Sequence, residues 1–113
     1  MKKDNQELVS LVENLMKSQK PIWRRVAKEL SKPRRSRVQV NLSKIEQLAQ
    51  VDSTVLIPGK VLGSGNLSKK MTIAAFAFSD SAKKLIGQAG GKAITINSLQ
   101  KSNPDGKGII LFK

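Results

Sequence analysis

The sequence contains no cysteine, no histidine and no tyrosine among its 113 residues. Without cysteine and histidine it can form neither disulfides nor the usual zinc sites. The same absences exclude catalysis by a cysteine nucleophile or a histidine base. The eight acidic residues show no pairing typical of acid–base catalysis. We therefore expect no enzyme activity, no metal site and no cofactor.

Long apolar segments are also absent. The longest run, residues 73–78, has six residues, whereas a transmembrane helix needs about 20. Acidic and amide residues directly follow Lys2 and Lys3, where the apolar part of a signal peptide would have to begin. We therefore expect a soluble, cytoplasmic protein, and the length predicts a single domain over residues 1–113.

Positive charge is the dominant feature of what is present. The chain has 21 lysines and arginines against 8 acidic residues, which gives a net charge of +13. Such an excess on a small domain indicates a polyanionic partner. Net charge alone does not distinguish a nucleic acid from an acidic membrane surface.

The arginines are confined to one short part of the chain. Residues 17–37 include nine basic residues and a single acidic one, Glu29, and all five arginines lie between Arg24 and Arg37. The planar guanidinium suits bidentate contacts to phosphate and guanine, whereas lysine acts as a point charge. This concentration favours a nucleic-acid contact over the alternative, a merely solubilising surface.

The helical N-terminal part is expected to span residues 1–32. Its first helix is predicted over residues 5–18, and its second helix begins at Pro21 and ends before Pro33. At helical spacing, one side of the second helix is apolar and includes Trp23. We favour core packing for Trp23 over stacking on an unpaired base. The opposite side carries four cations, Arg24, Arg25, Lys28 and Lys32.

A mixed α/β part is expected over residues 33–113. Strands are predicted over 38–40, 54–57, 60–62, 71–78, 93–96 and 109–112, with a turn at Pro58–Gly59. Ser43 and Glu46 have the spacing of a capping box that would open a helix. A further helix, capped by Ser79 or Asp80, should end at Gly90–Gly91. Asn97 or Ser98 is expected to cap a short helix through Lys101.

Two glycine-containing segments have the composition of phosphate-binding loops. Gly63–Ser64–Gly65 is flanked by Lys60, Lys69 and Lys70. It is interpreted as an RNA-contacting loop, with a plain turn as the alternative. The segment from residue 87 to Lys92 does not match a nucleotide-binding P-loop in spacing or in chemistry. It also follows a predicted helix, whereas a P-loop precedes one, so it is interpreted as a helix terminus.

Two longer motifs resemble a known family. The first is Pro33-Arg34-Arg35-Ser36-Arg37 followed by Val40-Asn41-Leu42-Ser43-Lys44-Ile45, and the second runs from Pro58 to Gly65 and on to Lys69-Lys70 and Ala74-Ala75-Phe76. Together they resemble the archaeal and eukaryotic e-type large-subunit ribosomal protein eighteen family, which shares its fold with bacterial large-subunit protein fifteen. Val38 departs from the pattern, where a small residue or proline would be expected. The resemblance covers nearly the whole chain.

The resemblance implies an α/β fold in which strands and helices follow the two N-terminal helices as an irregular superhelix-like core. It also implies a structural protein of the large ribosomal subunit that binds 23S ribosomal RNA beside neighbouring ribosomal proteins. The alternative is a chromatin-type or general nucleic-acid-binding protein outside the ribosome. Residues predicted to contact RNA are Lys20, Arg24, Arg25, Lys28, Lys32, Arg34, Arg35, Arg37, Lys44, Lys60, Ser64, Lys69 and Lys70.

Overall fold

A computed structural model describes residues 5–32, 38–63 and 67–112. These residues form helices and strands in the alternating order of an α/β protein, which confirms the predicted fold class. The helices are α1 (Asn5–Met16), α2 (Pro21–Leu30), α3 (Leu42–Leu48), α4 (Asp80–Gln88) and α5 (Ile96–Ser102). The strands are β1 (Val38–Asn41), β2 (Thr54–Leu62), β3 (Thr72–Phe78), β4 (Lys92–Thr95) and β5 (Ile109–Leu111).

The strands form one sheet in which all pairings are parallel. The order is β1-β2-β3-β4, and β5 also pairs with β2. Parallel neighbours need a crossover between them, so the chain winds in one direction from β1 to β4. This winding corresponds to the superhelix-like arrangement that the resemblance implies.

Helices cover both faces of the sheet, and each face has its own core. Along β2, Val55 and Ile57 point to the face covered by α3 and α4, while Leu56 points to the face covered by α1, α2 and α5. Side chains of a strand alternate between the two faces, so a strand buried on both sides is apolar at consecutive positions. The apolar run of β2 is explained by this double burial.

The predicted turn at Pro58–Gly59 is wrong. Both residues lie inside β2, a nine-residue strand that contains a register shift against β3 between Ile57 and Lys60. The first half of β2 pairs with β5 and the second half with β1, and Pro58 stands between the two partners. Proline lacks an N–H, so it is tolerated at such a break in the ladder.

The predicted capping box at Ser43 and Glu46 is also wrong. Helix α3 begins at Leu42 after Asn41, with no side-chain hydrogen bond at its start, and the Glu46 carboxylate binds Ser68 and Lys69 instead. The cap of α5 is Thr95, whose hydroxyl accepts from the Ser98 N–H, not Asn97 or Ser98. For α5 the cap has the ordinary local spacing but lies two or three positions before the predicted residues, whereas for α3 the carboxylate of the predicted box is bound by a distant segment.

Helix α4 begins and ends as predicted. The Ser79 hydroxyl accepts the Ala82 N–H at 3.1 Å. At the other end Gly90 has a φ of 82°, and the N–H of Gly91 donates to the Ile86 carbonyl at 2.9 Å. This is the left-handed glycine terminus common at helix ends.

Candidate nucleic-acid interface

Helix α2 presents its cations to solvent because its other side is buried. Trp23, Val26, Ala27 and Leu30 have no exposed surface. Arg24, Arg25 and Lys28 are exposed on the opposite side, as helical spacing predicts. The core packing favoured for Trp23 is confirmed. The burial of this apolar side fixes the direction in which the cations point.

The start of α2 is held by the turn before β5. The Trp23 Nε1–H donates to the Pro104 carbonyl at 2.8 Å, and the Lys20 ammonium lies 3.7 Å from the Asp105 carboxylate. A side chain at Gly106 would come within 2.6 Å of Ile22. The cationic helix is therefore anchored to a segment far along the chain.

Some of the predicted contact residues already have partners within the protein. Lys32 pairs with Glu29 at 3.0 Å, and Arg24 donates a long hydrogen bond of 3.4 Å to the Gln19 carbonyl. The side chains of Arg25 and Lys28, in contrast, have no hydrogen bond or ion pair within residues 5–32, 38–63 and 67–112. These two residues can therefore bind a polyanion without giving up a partner within the described part of the chain, and because surface ion pairs contribute little stability, Lys32 would give up Glu29 at a small cost.

Lys69 is directed into the protein. Its ammonium donates to the carbonyls of Glu46 at 2.7 Å and Ala49 at 3.0 Å, at the carboxyl end of α3. A cation at this end of a helix satisfies otherwise unpaired carbonyls and opposes the negative pole of the helix dipole. Lys69 therefore has a structural role, whatever it contributes to RNA binding.

Glu46 completes this contact with its carboxylate. It accepts the Ser68 hydroxyl at 2.7 Å, the Ser68 N–H at 3.0 Å and the Lys69 N–H at 3.1 Å. These hydrogen bonds, the Ser68 hydroxyl first, lower the pKa of Glu46 below its ordinary value of 4.5. We call Glu46, Ser68 and Lys69 the α3 clasp, because they tie α3 to the segment that leads into β3.

Three other predicted residues are exposed on different elements. Lys44 lies on α3, Lys60 on β2 and Lys70 just before β3. Arg34, Arg35, Arg37 and Ser64 lie outside the described residues. The predicted set is therefore distributed over several elements and is not one continuous helix face.

Six exposed lysines of the described residues were not in the predicted set: Lys17, Lys83, Lys84, Lys92, Lys101 and Lys107. Lys83 and Lys84 are exposed on α4, whose Ala82 and Ile86 are buried. The helical-face argument used for α2 would have found this pair. Lys92 offered no such signal, because only the pairing of β3 with β4, which aligns Thr72 with Lys92, brings it near Lys70.

Among the described residues, no cluster of acidic side chains has the arrangement of a metal site. Within the same part of the chain, no helix is both long and apolar enough to cross a bilayer.

Comparison with known proteins gives one consistent result. Residues 4–113 match the family described as ribosomal protein 60S L18 and 50S L18e. The chain is 44% identical to large ribosomal subunit protein eL18 of Archaeoglobus fulgidus, over 99% of both chains. It is 47% identical to eL18 of Methanococcus maripaludis, over 90% of this chain and 85% of the relative. It is 43% identical to eL18 of Sulfurisphaera tokodaii, over 91% of this chain and 87% of the relative.

Proposed function

The chain belongs to the ribosomal protein family of 60S L18 and 50S L18e, and from this premise we propose that it binds and stabilises folded 23S ribosomal RNA. As a member of this family it is a structural constituent of the large ribosomal subunit and not an enzyme. This assignment goes against the alternative of a chromatin-type protein acting outside the ribosome. Its place is the cytoplasmic ribosome, beside neighbouring large-subunit proteins.

The proposed mechanism is neutralisation of RNA phosphates. Folding of a large RNA brings phosphates close together, and cations fixed on a protein surface offset their repulsion while releasing condensed counterions. Helix α2 suits this role because the side chains of Arg25 and Lys28 are exposed and have no partner within the described ranges. Recognition then depends on the shape of the RNA and the positions of its phosphates, as expected for folded RNA.

The single observation that carries this proposal is the anchored orientation of α2. Its buried face and the Trp23–Pro104 hydrogen bond hold the cations in fixed directions. A fixed array of charges loses less conformational entropy on binding than flexible side chains on a mobile segment do. The proposed contacts also include Lys20, Arg24, Lys32, Arg34, Arg35, Arg37, Lys44, Lys60, Ser64 and Lys70. We assign Lys69 an indirect contribution, through the α3 clasp.

The test is to replace Arg25 and Lys28 together by alanine and to measure affinity for large-subunit RNA over a range of salt concentrations. We expect weaker binding and a slope of log K against log salt that is smaller by roughly 1 for each phosphate that the variant no longer neutralises. The matched control, Lys101→Ala with Lys107→Ala, removes the same charge from exposed positions outside α2.

A broader variant tests the whole arginine-rich surface. Replacing Arg24, Arg25, Arg34, Arg35 and Arg37 together should abolish stable co-migration with large subunits in a density gradient. Unchanged RNA binding by this variant would show that the proposed surface is wrong. Wild-type protein that migrates free or with DNA at moderate salt would contradict the ribosomal assignment itself.

A further inference from the structure

A cleft of about 210 Å³ opens where β2, β3 and β4 begin. Its lining includes Asp52, Lys70 and Lys92, together with Gly90 and Gly91 from the end of α4. The glycines and Lys92 belong to segment 87–92, which does not match the spacing or the chemistry of a nucleotide-binding P-loop. The cleft therefore brings together two lysines that are 22 positions apart in the chain.

The wall formed by α4 depends on glycine. A Cβ atom at Gly91 would lie 2.2 Å from the Met71 carbonyl oxygen, so any side chain there would force α4 away from β3. With glycine, the Lys92 N–H donates to that same carbonyl at 2.9 Å. This close approach fixes the backbone of Lys92 beside the start of β3.

The backbone of Lys70 is fixed on both sides. Its carbonyl accepts the N–H of Asp52 at 2.6 Å, and the preceding Lys69 is held by the α3 clasp. Asp52 has a φ of 65°, a left-handed conformation that aspartate and asparagine adopt more readily than most residues. Both lysines therefore project from constrained backbone.

The ammonium groups of these lysines remain available. Beyond these backbone hydrogen bonds, neither the Lys70 nor the Lys92 ammonium has a hydrogen bond or an ion pair with the residues that the structure describes. Asp52 lines the same cleft, yet it forms no ion pair within 4.0 Å with either lysine in the described part of the chain. Two cations and one anion leave the cleft with an excess of positive charge.

The backbone of the cleft excludes a nucleotide-binding mode. In phosphate-binding loops, free backbone N–H groups surround the anion. Here the N–H groups of Gly90, Gly91 and Lys92 all donate to carbonyls of the protein, those of Gly87, Ile86 and Met71. The two lysine side chains are then the positively charged groups that line the cleft, and point charges of this kind suit a backbone phosphate.

We propose that this cleft binds a phosphate of the ribosomal RNA backbone between Lys70 and Lys92. The proposal rests on the proposed function and adds a second contact to that of α2. Helix α2 packs on one face of the sheet, whereas α4, whose end forms a wall of the cleft, packs on the other. The two contacts therefore belong to different surfaces and engage different positions of the RNA.

The experiment compares Lys70→Gln and Lys92→Gln with Lys101→Gln, an exposed lysine of α5 outside the cleft. Affinity of the full chain for large-subunit RNA is measured against salt. Each cleft variant should bind severalfold more weakly, with a salt slope smaller by about 1. Lys101→Gln should stay close to wild type. Thermal melts establish that every variant is folded.

Asp52→Asn gives a second test, in which RNA affinity is expected to rise and not to fall. Asparagine tolerates the left-handed backbone, so the variant removes the negative charge and keeps the conformation. We expect tighter RNA binding, because the phosphate no longer faces a carboxylate. A folded variant that binds no more tightly than wild type would overturn the proposal.

The outcomes separate this proposal from the proposed function. If both cleft variants match Lys101→Gln while the Arg25 and Lys28 double variant still weakens binding, the cleft proposal fails and the function stands. If wild-type protein does not bind the RNA, the function itself fails. If the cleft variants bind isolated RNA normally but enter reconstituted subunits poorly, the cleft contacts a neighbouring protein and the phosphate proposal is overturned.

Discussion

At the scale of single residues, Glu46 has the clearest structural role. Its carboxylate accepts three hydrogen bonds from Ser68 and Lys69, which lie 22 and 23 positions further along the chain. Because these bonds favour the ionised form, the pKa in the folded protein lies below the ordinary value of 4.5. The resulting stabilisation is complete above the ordinary pKa and is lost as the pH falls through the lowered folded value.

We predict that Glu46→Gln lowers stability at neutral pH and flattens its decline in acid. Glutamine keeps an acceptor for Ser68 but cannot be neutralised by a proton. The measurement is the free energy of unfolding, from denaturant titrations between neutral and acidic pH. The control is Glu13→Gln, an exposed residue of α1. A wild-type protein and a Glu46→Gln variant with parallel pH profiles would contradict the role of this carboxylate.

Trp23 supplies a second prediction at this scale. Trp23→Phe removes the hydrogen bond to Pro104 and leaves space in the core between α2 and the sheet. We expect a decrease of about 2–3 kcal/mol in the free energy of unfolding. The indole is buried and not available for base stacking, so RNA affinity measured well below the melting temperature should fall only by the small amount expected when one of the anchors of α2 is lost, because the buried apolar face still orients the helix. A large decrease in the affinity of the folded variant would restore the stacking interpretation.

At the scale of elements, β2 shows what sequence reasoning missed. Pro58 and Gly59 are typical turn residues, yet a Cβ atom at Gly59 would lie 1.9 Å from the Val38 carbonyl oxygen. The glycine therefore permits close approach of β1 rather than a reversal of the chain. The requirement for glycine comes from β1, which α3 separates from β2 in the sequence. No pattern local to residues 58–59 reveals it.

A pair of glycine substitutions tests this interpretation. We predict that Gly59→Ala destabilises the protein by about 2 kcal/mol or more, because the methyl group collides with β1. Gly87→Ala is the matched control, since nothing lies within 4 Å of a Cβ atom at that position in α4. Alanine there should stabilise by about 0.5–1 kcal/mol. Equal effects of the two substitutions in thermal or denaturant unfolding would contradict the proposed close approach.

The helices were predicted better than the contacts between them. The cationic and apolar sides of α2, the Ser79 cap and the glycine end of α4 all follow from local periodicity and capping chemistry. The α3 clasp and the cleft at Lys70 and Lys92 depend on pairing between distant segments. The RNA contacts themselves, including those of Arg34, Arg35, Arg37 and Ser64, stay predictions, as does a single domain over residues 1–113.

At the scale of the whole molecule, the net charge of +13 affects the free protein as well as its complex. Like charges repel within the folded domain, and dissolved salt screens this repulsion. The same salt weakens binding to RNA, because the release of counterions on association is less favourable when salt is already abundant. Salt is therefore expected to act in opposite directions on folding and on RNA binding.

We predict that raising sodium chloride from low to moderate concentration increases the melting temperature of the free protein. Over the same range, affinity for large-subunit RNA should fall, with a linear dependence of log K on log salt. Thermal melts and binding titrations in the same buffers measure the two effects. A melting temperature that falls with added chloride would show that repulsion between the cations does not limit the stability of the fold.

Strand β2 pairs with β5 along its first half and with β1 along its second half, and this division has a consequence for biosynthesis. Its first half pairs with β5, which is translated about fifty residues later, and Trp23 finds its acceptor at Pro104 in the same late region. Until that region leaves the ribosome that makes it, the nascent chain carries a hydrophobic strand with one unpaired side. Such an edge readily pairs with other chains. Newly made protein is thus most vulnerable to aggregation before residues 104–111 emerge, and protection by a chaperone would matter most during that interval.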